Sequence, residues 1–263
     1  MGLIRSEPGT VWRLTLDRPA ARNAVTSAML HDLVLLLGEA GLDPDARVIV
    51  LGGEGPDFCA GADLDELEAW VDDDELQEAG DYGEGLDRAL RAIAGCPVPV
   101  LARVQGAALG AGCLLVAACD LVVAANGAQL GIPSARLGAA LGSSIVANLV
   151  RTVGPGRATA LLCGSLVISG AEAAAWGLVT EAVSSQDLDA RVEDSTAQVA
   201  ASAPLSVRAA KAAIRLGDAP EPDLDDRRTL QVEGMIAVAM ASEDLAEGIR
   251  AFREGRPPEF RGR

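Results

Sequence analysis

Short runs of residues that are apolar on both faces recur through the first two thirds of the chain. They cover residues 48–51, 98–104 and 121–124. A strand with one wet face alternates apolar and polar residues, so continuous runs predict strands that are covered on both sides. Segments with helical spacing lie between them, and the first has Thr26 as its predicted N-cap and ends at Gly41. The pattern predicts an α/β core.

The pattern changes from about Asp187 onward, where strand signals stop and helical spacing takes over. One helix is predicted to begin at Pro204, a second to cover residues 230–240 and a third residues 243–252. Three short helices form a poor core by themselves, so we expect them to pack on the main body or on another copy of the chain.

The overall charge limits the partners to expect. The 263 residues include 38 acidic and 22 basic ones, for a net charge of −16. Proteins that bind nucleic acid use basic residues to release counterions and aromatic rings to stack on bases. This chain has few rings, with three Trp, one Tyr and three Phe. We expect no nucleic-acid partner and attribute the acidity to solubility.

Neither a membrane nor an oxidising compartment is indicated. The first ten residues contain Arg5, Glu7 and Pro8 and no apolar run. The longest apolar stretch, residues 106–119, is shorter than the roughly 18–20 residues that span a bilayer. The five cysteines form no CxxC pair and have apolar or small neighbours, as buried thiols do. We expect a cytoplasmic protein with no membrane partner.

Several kinds of site lack their usual signals. His31 is the only histidine, which excludes a multi-histidine metal centre. The chain contains no GxSxG motif, no GxGxxG fingerprint and no GxxxxGK(S/T) phosphate loop. The sequence therefore predicts no metal site, and it gives no signal of a nicotinamide or nucleoside triphosphate enzyme.

Two glycine-bearing turns remain, at residues 58–64 and 105–113, and each follows a strand and precedes a helix. Small residues let a ligand approach the backbone closely. The second turn leads into a helix beginning near Ala111, where unpaired amides favour negative charge. Two amides that converge from both turns would stabilise an oxyanion. Each turn alone is more typical of tight packing, so only the pair indicates a site.

Both turns belong to a longer series of motifs. The chain reads LDRP at 16–19, RNA at 22–24, FCAGADL at 58–64, PVPV at 97–100, GAALGAG at 106–112, ACDL at 118–121 and GLV at 177–179. Between residues 242 and 260 it reads SED, EG, AF, RPP and F in that order. In order and spacing these segments resemble the crotonase, or enoyl-CoA hydratase/isomerase, superfamily.

The resemblance implies a fold and an assembly. The expected fold is a spiral of repeated ββα units, which would occupy residues 1–195 and contain an acyl-CoA site. An all-helical region at residues 196–263 would form the contacts of a homotrimer or hexamer. The substrate would be an acyl-CoA thioester, and no cofactor is expected beyond the coenzyme A that the substrate carries.

The resemblance also implies site residues. The backbone N–H groups of Ala62 and Ala111 would form the oxyanion hole, and Asp63 is expected to cap the helix after the first turn. Substrate contacts are expected at Arg22, Ala60, Gly61, Asp63, Leu64, Gly110, Leu114 and Phe252, the last covering the nucleotide. Asp65 and Gly255 stand where some members place lysines for coenzyme A phosphates. Arg18, Arg22, Arg253 and Arg256 are the candidate replacements.

Two positions depart from the hydratase pattern. A hydratase of this family uses two glutamates, which the resemblance places at Leu114 and Ser134. Leucine carries no proton, and a serine hydroxyl is a poor base unless it is activated. Candidate substitutes are the segment 81–87, including Tyr82, and the polar residues Ser134, Arg136, Ser143 and Ser144.

These departures leave the function open at this point. One hypothesis is an acyl-CoA enzyme of hydratase or isomerase type with altered acid/base groups, or one that catalyses decarboxylation or thioester hydrolysis. The alternative is a catalytically silent acyl-CoA binder or an oligomer partner of an active paralogue. The carboxylate-rich segment 72–87 is either a solvated helix or a lid over the site.

Overall fold

A computed structural model describes residues 4–72, 76–217 and 227–263, with backbone only at residue 5 and at residues 69–72 and 76–81. Its larger sheet has six strands in the order β1-β2-β3-β4-β6-β9. These strands are β1 (Ile4–Glu7), β2 (Val11–Leu16), β3 (Val48–Gly53), β4 (Val100–Val104), β6 (Leu121–Ala125) and β9 (Glu181–Val183). Within this sheet β1 and β2 pair antiparallel and the other pairs are parallel, with Val11 opposite Val48 and Ile49 opposite Val100.

The predicted strands at residues 48–51, 98–104 and 121–124 correspond to β3, β4 and β6, so the predicted α/β core is confirmed. Every residue of β3 is buried because the strand has covered faces on both sides. Three-residue strands form a second, smaller sheet in the order β5-β7-β8. They are β5 (Ala107–Leu109), β7 (Gln129–Gly131) and β8 (Val167–Ser169).

Eleven helices lie in the described part of the chain. They are α1 (Ser27–Leu42), α2 (Leu64–Asp72), α3 (Leu76–Gly95), α4 (Ala111–Ala118), α5 (Ser143–Val153), α6 (Pro155–Leu162), α7 (Gly170–Trp176), α8 (Leu188–Ala200), α9 (Pro204–Gly217), α10 (Arg227–Met240) and α11 (Glu243–Glu254). Thr26 caps α1 as predicted, because its Oγ1 accepts the Met29 N–H at 3.2 Å.

The chain passes repeatedly from the large sheet to the small one and then into a helix. After β3, Cys59 pairs with Ala108 of β5 in an isolated parallel bridge before α2 begins. The chain then runs β4-β5-α4 and β6-β7-α5, with a short 3-10 turn at Pro133–Leu137 inside the last unit. This repetition is the expected spiral of ββα units. It places the ends of three small-sheet segments side by side, next to the start of α4.

All eight residues of α4 are buried. A helix that is apolar on every side lies inside a domain rather than on its surface. The first turn of α4 is therefore held on all sides.

A buried lysine helps to attach α9 of the C-terminal region to this core. Lys211 on α9 donates from Nζ to the carbonyl oxygens of Ile93 at 3.3 Å and Val98 at 3.0 Å, and it pairs with Asp120 at 2.6 Å. The predicted division between residues 195 and 196 falls inside α8. No described helix is long and apolar enough to cross a membrane.

Candidate active site

A cavity of about 620 Å³ opens beside the start of α4. Its lining comes from the loop before α1, the first turn, α2, α3, the second turn, the 3-10 turn after β7 and the segment leading into α5. The lining residues are Ala21, Ala24, Ala60, Gly61, Ala62, Asp63, Leu64, Asp65, Leu67, Tyr82, Gly83, Leu86, Gly110, Ala111, Leu114, Ile132, Pro133, Ser134, Leu137, Ala139, Ala140, Leu141, Gly142 and Ile145. The cavity is mostly apolar, as ligand sites usually are.

The first glycine-bearing turn, at residues 58–64, is held in place by the segment before α1. Val25 donates its N–H to the Gly61 oxygen at 2.8 Å and accepts the Asp63 N–H at 3.0 Å. Val25 and Ala62 thus form a parallel bridge, in which the two neighbours of Ala62, Gly61 and Asp63, make the hydrogen bonds to Val25. The N–H of Ala62 therefore points away from Val25, and it donates to no acceptor among the residues that the structure describes.

The second turn is shaped by Gly110, whose φ of 51° and ψ of −118° strongly favour glycine. Its N–H donates to the Gly131 oxygen at 2.8 Å, which ties the turn to β7. Ala111 follows as the first residue of α4. The first N–H groups of a helix have no intrahelical acceptor, and that of Ala111 has no other acceptor in the described ranges. Both nominated amides are thus unpaired and both residues line the cavity.

The two turns are in direct contact through glycines. A Cβ atom on Gly110 would lie 3.6 Å from the Gly61 Cα, and one on Gly61, where φ is +124°, would lie 3.3 Å from the Leu109 oxygen. A Cβ on Gly112 would lie 2.3 Å from the Cys59 oxygen. A side chain at Gly112 would force the turns apart and one at Gly61 would crowd the Leu109 oxygen, whereas at Gly110 it is the positive φ that requires glycine. These glycines therefore allow the amides of Ala62 and Ala111 to approach each other.

An aspartate connects the two turns from outside the cavity. Asp57 accepts the Arg22 Nε at 2.7 Å through Oδ2 and the Ala107 N–H at 2.7 Å through Oδ1. The Arg22 carbonyl in turn accepts the Ala60 N–H at 2.9 Å. The Arg22 guanidinium, followed by the Ala107 N–H, holds the pKa of Asp57 below its usual range against the opposing effect of burial. Asp57 therefore stays ionised as a buried acceptor.

Asp63 occupies the rim of the cavity and caps α2 as predicted. Its Oδ1 accepts the Glu66 N–H at 3.1 Å and its Oδ2 pairs with Arg18 at 2.6 Å. Burial acts to raise the pKa of Asp63, but hydrogen bonds from Arg18 and the Glu66 N–H outweigh it and keep the pKa low. A carboxylate held in this way is a structural cap rather than a base for a substrate.

The two positions at which the resemblance leads us to expect glutamates lie in the cavity wall. Leu114, on α4, is 2% exposed, and Ser134 sits in the 3-10 turn opposite the start of that helix. The Ser134 hydroxyl has no hydrogen-bond partner among the described residues, so no described group activates it as a base. The only charged residues of the described lining are Asp63 and Asp65.

Most of the other side chains nominated for acid/base roles do not reach the cavity. Tyr82 does, but its hydroxyl lies 3.3 Å from the Val25 carbonyl oxygen, and burial raises its pKa. Glu84 is largely exposed and pairs with Arg88, whereas Asp87 pairs with Arg91. Arg136, Ser143 and Ser144 are exposed and absent from the lining. The side chain of Asp81 and residues 73–75, in the segment that was a possible lid, lie outside the described residues.

The nominated substrate residues divide into two groups. Ala60, Gly61, Asp63, Leu64, Gly110 and Leu114 line the cavity with Ala62, Ala111 and Ser134. Arg22 and Phe252 do not. Arg22 is held by Asp57, and Phe252 is 88% exposed on α11, beside a groove that also contains Phe260.

The arginines nominated for coenzyme A phosphates are mostly engaged elsewhere. Arg18 pairs with Asp63, Arg22 with Asp57, and Arg256 with Glu247 and Glu254. Arg253, near Phe252 on α11, has no ion pair among the residues described. The described residues also contain no group of three or more His, Cys, Asp or Glu side chains that could hold a metal ion.

Several residues that contribute to this site carry no signal in the amino-acid sequence. Asp57 looks like an ordinary polar residue of a glycine-rich loop, and its role depends on Ala107, which lies 50 residues away in the chain. Ile132, Leu141 and Ile145 line the wall, yet their apolar character marks them only as candidates for the core. Nothing in the sequence could have separated them from other buried residues.

Comparison with known proteins agrees with this architecture. The family model for enoyl-CoA hydratase/isomerase matches residues 6–263. The 2,3-dehydroadipyl-CoA hydratase of Escherichia coli is 36% identical over 263 residues, which is 99% of each chain. The crotonyl-CoA hydratase of Syntrophomonas wolfei is 32% identical and covers 94% of this chain and 93% of the relative.

Solved structures give the same result. An enoyl-CoA hydratase/carnithine racemase from Magnetospirillum magneticum superimposes with a TM-score of 0.91 at 30% identity, over 100% of this chain and 97% of that one. An enoyl-CoA hydratase from Bacillus anthracis has a TM-score of 0.88 at 31% identity, and all of both chains are covered. From its fold and from both comparisons, the chain belongs to the enoyl-CoA hydratase/isomerase, or crotonase, family of acyl-CoA enzymes.

Proposed function

We propose that this protein binds an acyl-CoA thioester in the cavity and holds the thioester oxygen with the N–H groups of Ala62 and Ala111. The observation that carries the proposal is the pair of unpaired amides on two turns that touch through Gly61 and Gly110. Both amides adjoin an apolar cavity, where a hydrogen bond to a developing negative charge is stronger than in water.

Such a site lowers the barrier to any reaction that passes through a thioester enolate or a tetrahedral oxyanion. Removing one donor of an oxyanion hole typically costs about 10²–10³ in rate. The amides need no reorganisation during the reaction, because Val25, Gly131 and the fixed start of α4 already hold them.

Proton transfer is where this chain departs from a standard hydratase. A positioned acid or base typically contributes about 10²–10⁴ in rate, and neither Leu114 nor Ser134 provides one. We therefore propose that hydration of a conjugated enoyl-CoA is slow in this protein. Decarboxylation or hydrolysis of a thioester places fewer demands on such groups, and either would still use the two amides.

A second candidate function is carried by the same two residues. With Leu114 and Ser134 in the wall and no activated base beside them, the protein would bind acyl-CoA without turnover, as a silent binder or as the partner of an active paralogue. The two functions predict the same affinity and differ only in turnover.

We also propose that the protein assembles as a homotrimer or hexamer through its C-terminal helices. Seven large apolar side chains from this region are exposed in the single chain: Ile214, Leu230, Val238, Met240, Leu245, Ile249 and Phe252. A set of exposed apolar side chains this large is typical of an interface. Light scattering coupled to size exclusion tests the assembly, with a monomer as the contradicting result.

The relatives differ in the acyl groups that their names give. An adipyl group, as in the Escherichia coli enzyme, ends in a carboxylate, whereas a crotonyl group does not. Both kinds are candidates for this cavity on relationship alone.

The test is to incubate the purified protein with crotonyl-CoA, a 3-enoyl-CoA and a malonyl-type CoA, and to measure binding by calorimetry alongside turnover. Turnover of any of them well above the buffer rate supports the enzyme and eliminates the silent binder. Binding without turnover eliminates the enzyme for those substrates. If no thioester binds, both candidate functions are wrong.

A further inference from the structure

Resting on the proposed function, we infer that the acyl group this protein accepts is an uncharged hydrocarbon chain, and that acyl groups ending in a carboxylate are rejected. The cavity wall carries this inference, because it is apolar and its charged residues are all acidic. Of the two kinds of acyl group that the relatives' names give, uncharged and ending in a carboxylate, the inference selects the uncharged kind.

The deep part of the cavity is formed by large apolar side chains. Leu114, Ile132, Ile145 and Leu86 are at most 3% exposed, and each comes from a different element. An acyl chain that begins at the amides of Ala62 and Ala111 extends into this wall. Each methylene group placed there gains affinity through removal of apolar surface from water.

No basic group is available to pair with a carboxylate at the end of that chain. The described lining contains no Lys, Arg or His, and its two charged residues are Asp63 and Asp65. Arg18 is already paired with Asp63 at 2.6 Å, and Arg136, in the 3-10 turn with Ser134, is exposed and outside the lining. A buried carboxylate without a cation or hydrogen-bond donors is strongly disfavoured.

The residues whose side chains the structure does not describe add no basic group that could pair with such a carboxylate. Residues 1–3, 69–81 and 218–226 contain no Lys, Arg or His, and residues 69–81 alone contain six carboxylates. Arg5, whose side chain is not described, belongs to the edge strand β1. No cation for the wall can therefore come from these segments.

One feature of the fold favours the opposite outcome. The start of α5 lies beside the cavity, because Gly142 and Ile145 are both in the lining. A helix start attracts anions. However, Ser143 and Ser144, whose N–H groups would bind such an anion, are exposed and outside the lining.

The experiment compares, by calorimetry at pH 7, three thioesters built on a saturated linear chain of six carbons. Hexanoyl-CoA has an uncharged chain, adipyl-CoA ends in a carboxylate, and the methyl ester of adipyl-CoA has similar length without the charge. All three carry the same coenzyme A, so differences in affinity report on the acyl wall. We expect adipyl-CoA to bind at least about tenfold more weakly than hexanoyl-CoA, since the carboxylate loses its solvent without gaining a partner. The methyl ester should recover most of the loss.

A cation placed in the wall should reduce the preference for hexanoyl-CoA over adipyl-CoA. Leu141 is partly buried in the lining, so Leu141→Lys should raise the affinity for adipyl-CoA relative to hexanoyl-CoA by about tenfold, and Leu141→Met should not. If circular dichroism shows that the lysine variant is unfolded, the inference is tested by the wild-type affinities for adipyl-CoA and hexanoyl-CoA alone.

The outcomes separate this inference from the function on which it rests. If none of the three thioesters binds, the proposed function is wrong. If hexanoyl-CoA binds and adipyl-CoA binds equally well or better, the function stands and the uncharged-chain inference is overturned. A folded Leu141→Lys chain with an unchanged ratio also overturns it, because the chain end then lies elsewhere.

Discussion

The carboxylate of Asp57 accepts the backbone N–H of Ala107 at 2.7 Å and so joins the loop after β3 to the first residue of β5. These two segments lead into the two turns that carry the amides of Ala62 and Ala111. The contact is almost completely buried, and a Cβ on the neighbouring Gly106 would lie 2.5 Å from the same carboxylate oxygen. The spacing of the two turns therefore depends on this contact as well as on the glycines.

Replacing Asp57 with Asn should destabilise the protein by about 1 kcal/mol at pH 7, because a hydrogen bond to a charged acceptor becomes a neutral one. The ion pair between Asp57 and Arg22 adds little to the free energy of unfolding, because it is exposed on the Arg22 side. The pKa of Asp57 is lowered in the folded chain, so its contribution is present above the ordinary carboxyl pKa and is lost as the pH falls through the lowered value. Urea unfolding at pH 7 and at pH 3.5 should show a difference between variant and wild type that shrinks in acid.

Asp194→Asn is the matched control for that change, because Asp194 is exposed on α8. It should leave the unfolding midpoint unchanged. A difference between wild type and Asp57→Asn that is equal at both pH values would contradict the role of the Asp57 charge.

Replacing Gly112 with Ala should prevent the two turns from closing. Its Cβ would lie 2.3 Å from the Cys59 oxygen, and neither backbone can move without separating the turns. We expect a loss of roughly 1–3 kcal/mol or more, as for other overpacked cores. Gly234→Ala on α10 is the control, since nothing lies within 4 Å of its Cβ. That change should stabilise the chain by about 0.5–1 kcal/mol through helix propensity. Equal midpoints in thermal unfolding would contradict the packing described.

Placing carboxylates at positions 114 and 134, where the resemblance leads us to expect glutamates, should create hydratase activity. The double variant Leu114→Glu with Ser134→Glu should hydrate crotonyl-CoA at least about 10²–10⁴ times faster than the wild-type chain, because each positioned acid or base is worth that much. Burial at position 114 should raise the pKa of the new glutamate. The control carries Gln at both positions. Loss of the enoyl absorbance measures the hydration rate. Equal rates for the Glu and Gln variants would show that the two positions do not face the double bond.

Reversing the charge at Asp65 should strengthen coenzyme A binding. Asp65 is exposed at the cavity rim in the first turn of α2. Asp65→Lys should tighten binding of hexanoyl-CoA by about two- to tenfold at low salt, and the gain should fall as salt screens the charge. Asp65→Asn should give a smaller gain. Titration with the thioester of dephospho-CoA, which lacks the 3′-phosphate, identifies the group involved; an equal gain there would contradict a contact with that phosphate.

The parts of the fold that were predictable are those that local sequence determines. Residues 48–51 read as a buried strand because they are apolar on both faces, and Thr26 read as a cap because its side chain bonds only three residues ahead. The short strands β5, β7 and β8 were not predicted, because segments of three residues become strands only through partners far along the chain.

The site, like the fold, was predictable only where local sequence determines it. The two turns were visible as glycine-bearing segments after strands, and the resemblance paired them. The sequence could not show that Gly61 and Gly110 touch, that Arg22 is held by Asp57, or that Ile132 and Ile145 close the wall. Each of these depends on contacts between distant segments.

The central claim is that the amides of Ala62 and Ala111 stabilise an enolate, and exchange of the α-protons of hexanoyl-CoA into D₂O reports that enolate directly. Ala111→Pro removes one of the two N–H groups at the first position of α4, where proline fits a helix and where Gly110 has no Cβ to obstruct the ring. Ser143→Pro makes the same change at the start of α5, also after a glycine, and serves as the control. The base of the buffer takes the α-proton, and the two amides lower the barrier by stabilising the enolate that remains. By NMR, the wild-type and Ser143→Pro chains should exchange the protons well above the rate in buffer alone, and a folded Ala111→Pro chain should be about 10²–10³ slower. Exchange by Ala111→Pro at the wild-type rate, or by the wild-type chain only at the buffer rate, would contradict the account.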